Sequence, residues 1–483
     1  MHRTAQLDHD HLWHPFTQMR DWLKTEPIVI AEGKGAVLRD VHGRDYLDAN
    51  ASIWTNLHGH NHPKINAAIR RQLGRISHSS ALGFANEPAS LLAEQLIRHA
   101  NPEGIVRDAK ARPLERVFYS DDGSTAMEVA LKMAFEVARR KRPGSRPRFL
   151  SLGGAYHGDT VGAVSLGHVD LFHKAYQPLL FKTESVMAPA CYRCPHNKAR
   201  AERADARDYR KCQWECVDRV EKKLVVRKQK GDPHAGMVVE PLVQGAAGIV
   251  AHPEGWLRRV AGLLKQIDVP LIADEVMTGF GRTGIRDLGN GDPNAGPVLF
   301  ASHQEGVQPE YLAVAKGLTG GYLPMAATLT TGRVFEAFLG EYGEFKSFFH
   351  GHSFTGNQLG SAAALSSLEI LTGSASIRRR VRLQKVLESE LAALWKLPQV
   401  GDLRQVGLIA GIELVRDWRT REAFPLTDRV GIRVCEAMAR RGVLTRPVGN
   451  VIVLMPPYCT TDEQVAKMVG AVREGIGEVL LKN

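Results

Sequence analysis

VPLIADEVMTGFGRTG, residues 269–284, and LAVAKGLTGG, residues 312–321, share one pattern. Each begins as a short, near-continuous apolar run, ends on a charged residue and breaks into glycines. Runs of this kind read as strands buried on both faces, the pattern of a parallel sheet covered by helices. Working outward, the same pattern recurs at 116–120, 148–152, 236–242, 270–273, 311–315 and 325–331. Helical spacings lie between them. Residues 125–141 carry Met127, Ala130, Leu131 and Ala134 on one face, and Trp256–Ile267 has the same periodicity. The alternation predicts an α/β fold built on a mainly parallel central sheet. The flanks differ. Residues 28–48 predict short antiparallel strands turning at His42-Gly43. Residues 402–483 predict a strand, a helix near 428–440, a strand pair around 447–450 and a last helix from about Thr461.

The charged ends of the two stretches carry the chemistry. Ligands of open parallel sheets bind at the carboxyl ends of strands, so Asp274 and Lys316 open into one crevice. A lysine at the end of a buried run is costly unless its charge is paired or its amine is used. A Schiff-base lysine with a carboxylate for a pyridinium nitrogen is the pyridoxal phosphate arrangement; a buried Asp–Lys ion pair is the plain alternative. In DDGSTAME (121–128), Gly123 and Ser124 stand at a predicted helix N-terminus, a ready phosphate site. Capping by Ser124 or Thr125 is its alternative. In GGAYHGDT (153–160), Tyr156 follows a strand and either stacks on a ligand ring or edges the core. His157 needs no metal role, since no HExxH spacing surrounds it. GxxxxGK[ST] is absent and no GxGxxG directly follows a strand, GFGRTG (279–284) standing five residues beyond its own, which weakens nucleotide-binding readings.

Composition bounds these readings. The 483 residues are 44% hydrophobic and 24% charged, with 46 Gly and 24 Pro, outside the collagen-like, disordered and coiled-coil extremes. No run approaches the roughly 20 apolar residues of a membrane span. The first residues, MHRTAQLDHDHLWHPF, lack the apolar core of a secretory signal. The expectation is a soluble, cytoplasmic protein. Lys and Arg number 63 against 52 Asp and Glu, a net +11. Residues 196–230 alone hold twelve basic and six acidic side chains, so over half the excess is local. That pattern fits an insertion better than a nucleic-acid-binding face: the charge is mixed, and only Tyr209 and Trp214 could stack on bases. The cysteines are local too. Cys191, Cys194, Cys212 and Cys216 have the spacing C-x2-C-x17-C-x3-C, which suits a structural zinc. Free thiols and a disulfide are the other readings, the last disfavoured in a reducing compartment.

DDGSTAMEVALKMA (121–134), YHGDT (156–160), EPLVQGAAG (240–248), LIADEVMTGFGRTG (271–284), AKGLTGG (315–321) and HGHSFTGN (350–357) together closely resemble the class III aminotransferases of fold type I. The motifs keep the family's order, and the likeness runs from about residue 10 to 480. It implies a pyridoxal 5'-phosphate enzyme with a large domain at 71–365, interrupted by the Cys-rich basic insertion at 190–230. A small α+β domain is drawn from both ends, 1–70 and 366–483. LWHPFTQM (12–19), SIWTNLHGHNHP (52–63) and TRPVGNVIVLMPPY (445–458) look like the branch of that family active in biotin biosynthesis. That branch aminates 8-amino-7-oxononanoate to 7,8-diaminononanoate with S-adenosyl-L-methionine.

By this resemblance Lys316 joins the cofactor and shuttles the proton, Asp274 pairs with the ring nitrogen, Val276 packs on the ring, and Tyr156 stacks beside it. Gly123 and Ser124 hold the phosphate. His352 and Ser353 match a phosphate-binding pair supplied by a neighbouring subunit, implying a homodimer with active sites at its interface. Arg446 matches the arginine that takes the substrate carboxylate. Phe16, Ile53, Trp54, Tyr156, Lys316 and Gly351 match the substrate site, with Glu240 near the pocket. Departures are Ile53 where a first Trp is usual, Phe16 for Tyr, Ser353 for Thr and Gln358 for Pro. The forms around Ile53 and Phe16 resemble a branch for which L-lysine is the amino donor. A sibling ω-aminotransferase acting on a diamine or ω-amino acid is the nearest rival, and Arg446 and LWHPF argue against it.

Overall fold

The structure, a computed structural model, describes residues 1–106, 112–284 and 298–481. Seven strands form its central sheet: β1 (Leu114–Ser120), β2 (Phe149–Leu152), β3 (Glu184–Val186), β4 (Gly236–Val239), β5 (Leu271–Asp274), β6 (Tyr311–Val314) and β7 (Ala326–Thr331). Their order across the sheet is β1-β7-β6-β5-β4-β2-β3. Every residue of β2, β4, β5 and β6 is buried, which accounts for apolar runs without alternation. Strands β2 to β6 pair in parallel. β7 does not: it runs antiparallel to both β6 and β1. The expectation of a parallel strand at 325–331 is corrected here. No helix lies between β6 and β7, and without a crossover the chain returns antiparallel.

Two helices seat the functional loops. Gly123–Lys141 packs on β6 and β7 and buries Met127, Ala130, Leu131 and Ala134 as their spacing requires. Its cap is neither Ser124 nor Thr125 acting alone. Asp122 accepts from the Thr125 N–H at 2.9 Å while the Thr125 hydroxyl accepts from the Asp122 N–H at 2.9 Å, a reciprocal capping box. Trp256–Ile267 buries Trp256, Leu257, Val260 and Leu264.

The chain ends meet. Ile30–Lys34, Val37–Asp40 and Asp45–Asp48 form an antiparallel set, turning at Gly43 with φ +79°. Val443–Leu444, from the far end of the chain, adds to Asp45–Asp48 in parallel. A second sheet orders Val400–Val406, Ile409–Asp417, Val451–Leu454 and Pro447–Val448. The helices Val430–Arg440 and Asp462–Leu480 pack against each other.

The insertion lies along the sheet edge. Its helix, Glu215–Gln229, packs on β3 and on Trp256–Ile267. The segment before it is tied to the C-terminal sheet: Arg203 donates to the carbonyls of Trp395 at 2.7 Å, Leu397 at 2.6 Å and Val400 at 2.6 Å, and Arg193 donates to Glu413 at 2.6 Å. The zinc expectation for Cys191, Cys194, Cys212 and Cys216 finds no support. All six cysteines are free, and among the described residues no group of three or more His, Cys, Asp or Glu could hold a metal ion. Cys191 is buried with Tyr192, Ala206 and Tyr209, whereas Cys216 faces the core around β2 and β4. Burial pushes the Cys191 thiol up to about 12 and the Cys216 thiol to about 11, and the neighbouring cysteines add to the shift in both. Among the described residues no helix is long and apolar enough to cross a membrane.

Candidate active site

The carboxyl ends of β1, β2, β4, β5 and β6 converge on one cavity of about 410 Å³. Each strand delivers its C-terminal end or the loop beyond it: Asp121 to Ser124 after β1, Tyr156 to Gly158 after β2, Glu240 after β4, Asp274 and Val276 from β5, and Lys316 after β6. Trp54, Met277, Thr278 and Tyr322 complete the wall.

Lys316 is the decisive group. Its amine reaches into the cavity, 5.5 Å from the centroid of the Trp54 ring, and no carboxylate lies within 4 Å of it among the described residues. The ion-pair alternative therefore does not describe this lysine. Burial lowers its pKa, against the opposing charges of Asp274, Glu240 and Asp159. Asp274 is almost fully buried. One carboxylate oxygen takes the Nδ1 of His157 at 2.7 Å, and the other accepts the Val276 N–H at 3.1 Å. Desolvation pulls the His157 pKa down, but the bond and charge of Asp274 outweigh it and leave it raised. Glu240 accepts from the N–H of Gly245 at 2.8 Å and of Tyr156 at 3.3 Å. Its burial and the nearby Asp274 charge push it up to about 7, although His157 acts the other way.

The N-terminus of Gly123–Lys141 opens on the same cavity. The cap engages the Thr125 N–H, and among the described residues the N–H groups of Gly123 and Ser124 have no partner. The Ser124 hydroxyl accepts from the Asp159 N–H at 3.0 Å. A Cβ on Gly123 would stand 2.6 Å from a Val276 methyl, so the backbone approaches as closely as only glycine allows. Gly158 adopts φ +120°, and a Cβ there would overlap the Ser124 hydroxyl. An amine without an ion pair, a buried carboxylate and free N–H groups at a helix N-terminus, all opening on one cavity, fit the aldehyde, ring nitrogen and phosphate of pyridoxal phosphate.

The remaining residues divide. Tyr156 lines the cavity, donates its hydroxyl to Asp159 at 2.6 Å, and has a raised pKa from desolvation and that bond. Trp54 lines it, and its indole N–H is buried without a partner. Phe16, Ile53, Gly351, His352, Ser353 and Arg446 do not. Phe16 is exposed, with its ring 5.2 Å from Phe172. Ile53 is 46% exposed at φ +61°. His352 stands 3.6 Å from Asp121, and the Ser353 carbonyl accepts from His78 at 2.9 Å. Arg446 is exposed between Val443–Leu444 and Pro447–Val448.

Several site residues escape the sequence. His157 and Asp274 bond across 117 positions, a pairing no local spacing encodes. Behind the cavity lining, Phe172 and His173 pack their rings near Tyr156, His173 lying nearly parallel to it at 6.3 Å. LFHK has no motif to announce this.

Comparison with known proteins agrees with the geometry. The family model for class-III aminotransferases matches residues 19–476. The adenosylmethionine-8-amino-7-oxononanoate aminotransferase of Geobacter sulfurreducens is 45% identical, covering 98% of this chain and 97% of that one. The crystal structure of the enzyme of the same name from Methanocaldococcus jannaschii superposes with a TM-score of 0.86 at 37% identity, over 99% of both chains. An amine transaminase from an uncultivated Pseudomonas species, solved in its PLP-bound form, gives 0.83 at 31% identity over 97% of this chain and 98% of that one. By motif, fold and site, this chain belongs to the class-III aminotransferases.

Proposed function

We propose that the chain transfers an amino group from S-adenosyl-L-methionine to 8-amino-7-oxononanoate, giving 7,8-diaminononanoate for biotin biosynthesis in the cytoplasm. Relatives carrying this activity in their names are 40–46% identical over nearly the whole chain. The observation that carries the reading is Lys316, an uncompensated amine on the cavity floor beside Asp274.

Pyridoxal phosphate, held by Lys316, Asp274, Val276, Tyr156, Gly123 and Ser124, supplies a ring that accepts electrons from the reacting carbon. Burial lowers the Lys316 pKa, which favours its service as the base that takes a proton from the carbon bearing the donor's amino group and later delivers one to the acceptor. His157 fixes the Asp274 carboxylate in its place by donating to it. Gly123 and Ser124 offer two N–H groups to the phosphate, and the helix dipole favours its charge. Tyr156, oriented by Asp159, covers one side of the cavity and excludes water. Trp54 supplies apolar surface for the aliphatic chain of the oxononanoate; Phe16 and Arg446 stand outside their own chain's cavity and are assigned to the substrate by resemblance to the family, Arg446 offering a planar fork to its carboxylate.

The active unit in this reading is a homodimer. His352, Ser353 and Gly351 lie outside their own chain's cavity, which supports their service to a partner's. Leu82, Phe84, Tyr342, Phe345, Phe349 and Phe354 are exposed, and bonds from His78 to Ser353 and from Ser79 to Gln358 bring these loops together. Such apolar surface marks an interface. The small domain at 1–70 and 366–483 fits the strand shared between both ends.

S-adenosyl-L-methionine is favoured as donor because Ile53, which points to lysine, lies outside the cavity while Trp54 lines it. The test is turnover of the reconstituted enzyme on 8-amino-7-oxononanoate with either donor, the product identified by mass. Diaminononanoate formed with S-adenosyl-L-methionine supports the reading. Formation with lysine alone overturns the donor, and no diamine from either overturns the acceptor.

A further inference from the structure

The basic insertion takes no part in the site described, and its charge is not scattered. Along the helix Glu215–Gln229 and its cap, Arg219, Lys222, Lys223, Arg227 and Lys230 recur every three or four positions, which places them on one face. That face forms one wall of a groove of about 1100 Å³. Residues 184–188, with Arg148, line another side, and Arg193, Cys194, Pro195 and His196 a third.

Three features show a surface built for a polyanion. First, the groove is lopsided in charge: among the described residues, seven Lys or Arg line it against a single acid, Glu184. Glu184 is already shared among Arg148, Lys223, Arg227 and His234 at 3.5–3.9 Å. Asp218 and Glu221, on the same helix, do not line it. Second, Arg219, Lys222 and Lys230 are exposed and have no carboxylate partner among the described residues. Arg227, bonded to Asp232 at 2.5 Å, is mostly buried and still leaves its Nε without a hydrogen bond. Third, β3 is the end strand of the sheet, so one side of its backbone is free to pair.

Shape selects the occupant. From Arg219 to Lys230 the row spans about 16 Å at 1.5 Å per residue. A phosphate cluster would meet one or two of these cations. An extended chain of about five residues, at roughly 3.3 Å each, meets them all and lies along a free strand edge, a common mode of peptide capture. Nucleic acid lacks its stacking platform, since no Phe, Tyr or Trp among the described residues lines the groove.

We propose that this groove docks an extended, Asp/Glu-rich segment of a partner protein. The surface is separate from the catalytic cavity, so it stands or falls apart from the reaction assigned above.

The test uses the cofactor-loaded enzyme and fluorescein-labelled decaglutamate, read by fluorescence anisotropy at low and high salt. Binding should be salt-sensitive and weaken at least tenfold in the triple variant Arg219→Glu/Lys222→Glu/Lys230→Glu, with transamination unchanged. The matched variant Arg378→Glu/Lys385→Glu/Lys396→Glu, exposed cations on another part of the chain, should bind like wild type. No binding, or equal loss in both variants, overturns the proposal. Tighter binding of a decathymidylate or of inorganic triphosphate, lost in the first variant only, also overturns it by assigning the groove to nucleic acid or to a small anion.

Discussion

His157 and Asp274 show how much a single residue's setting decides. An imidazole buried without a partner is ordinarily neutral, yet here the carboxylate 2.7 Å away raises its pKa. His157 is therefore a positioning residue for Asp274. His157→Leu should lower turnover and shift the visible spectrum of the bound cofactor, while His157→Asn, which keeps a donor, should restore part of both. Equal loss in the two variants would reduce His157 to packing. Glu240 offers a pH test. Its carboxyl titrates near 7 in the fold against about 4.5 unfolded, so the native state holds this proton more tightly. That contribution to stability is fully present below about pH 4.5 and is lost as pH rises through 7. Glu240→Gln should flatten the decline in Tm between pH 5 and 7, measured by thermal unfolding of the loaded enzyme. Parallel Tm profiles would contradict the buried, protonated carboxyl.

Elements place these residues, and here the geometry tolerates little. Gly158 has φ +120°, and a side chain would meet Ser124 at the phosphate end. Gly158→Ala should cost about 1–3 kcal/mol in urea unfolding and weaken pyridoxal phosphate binding in direct titration; unchanged affinity would mean that the loop is not part of the cradle. Much at this scale is legible in the sequence. Strands with all positions buried declare themselves by continuous Val, Ile and Leu, as at β4, β5 and β6, and Trp256–Ile267 is delimited by its periodicity. The direction of β7 is not legible, because AATLTT is equally apolar whichever way it runs; only the missing crossover decides it. β3 is too short, and two of its three residues are too polar, to stand out. The four cysteines match a zinc spacing, and spacing alone does not say whether the folded chain assembles a ligand set. The cofactor residues are legible because each sits at the end of an element; the partners they recruit from elsewhere, His157, Phe172 and His173, are not.

The whole molecule depends on joining distant segments. Arg404 is buried between Asp402 and Glu413, and donates to the Ile249 carbonyl at 2.8 Å. Arg404→Met leaves two buried carboxylates facing each other and should destabilise the fold by about 3–5 kcal/mol, read by chemical unfolding; a loss under 1 kcal/mol would show the network to be dispensable. The proposed dimer predicts twice the 53.2 kDa chain mass in light scattering, with Leu82→Glu/Phe84→Glu shifting it towards monomer and lowering activity together. A fully active monomer would remove the interface from the site. All of this rests on one lysine at the end of β6. The most direct test is borohydride reduction of the pyridoxal phosphate-loaded enzyme followed by peptide mass mapping. The cofactor should be found fixed to Lys316 and absent from Lys316→Ala, whose turnover should fall at least about 10²-fold. Attachment to any other lysine, or full turnover without Lys316, would contradict the account.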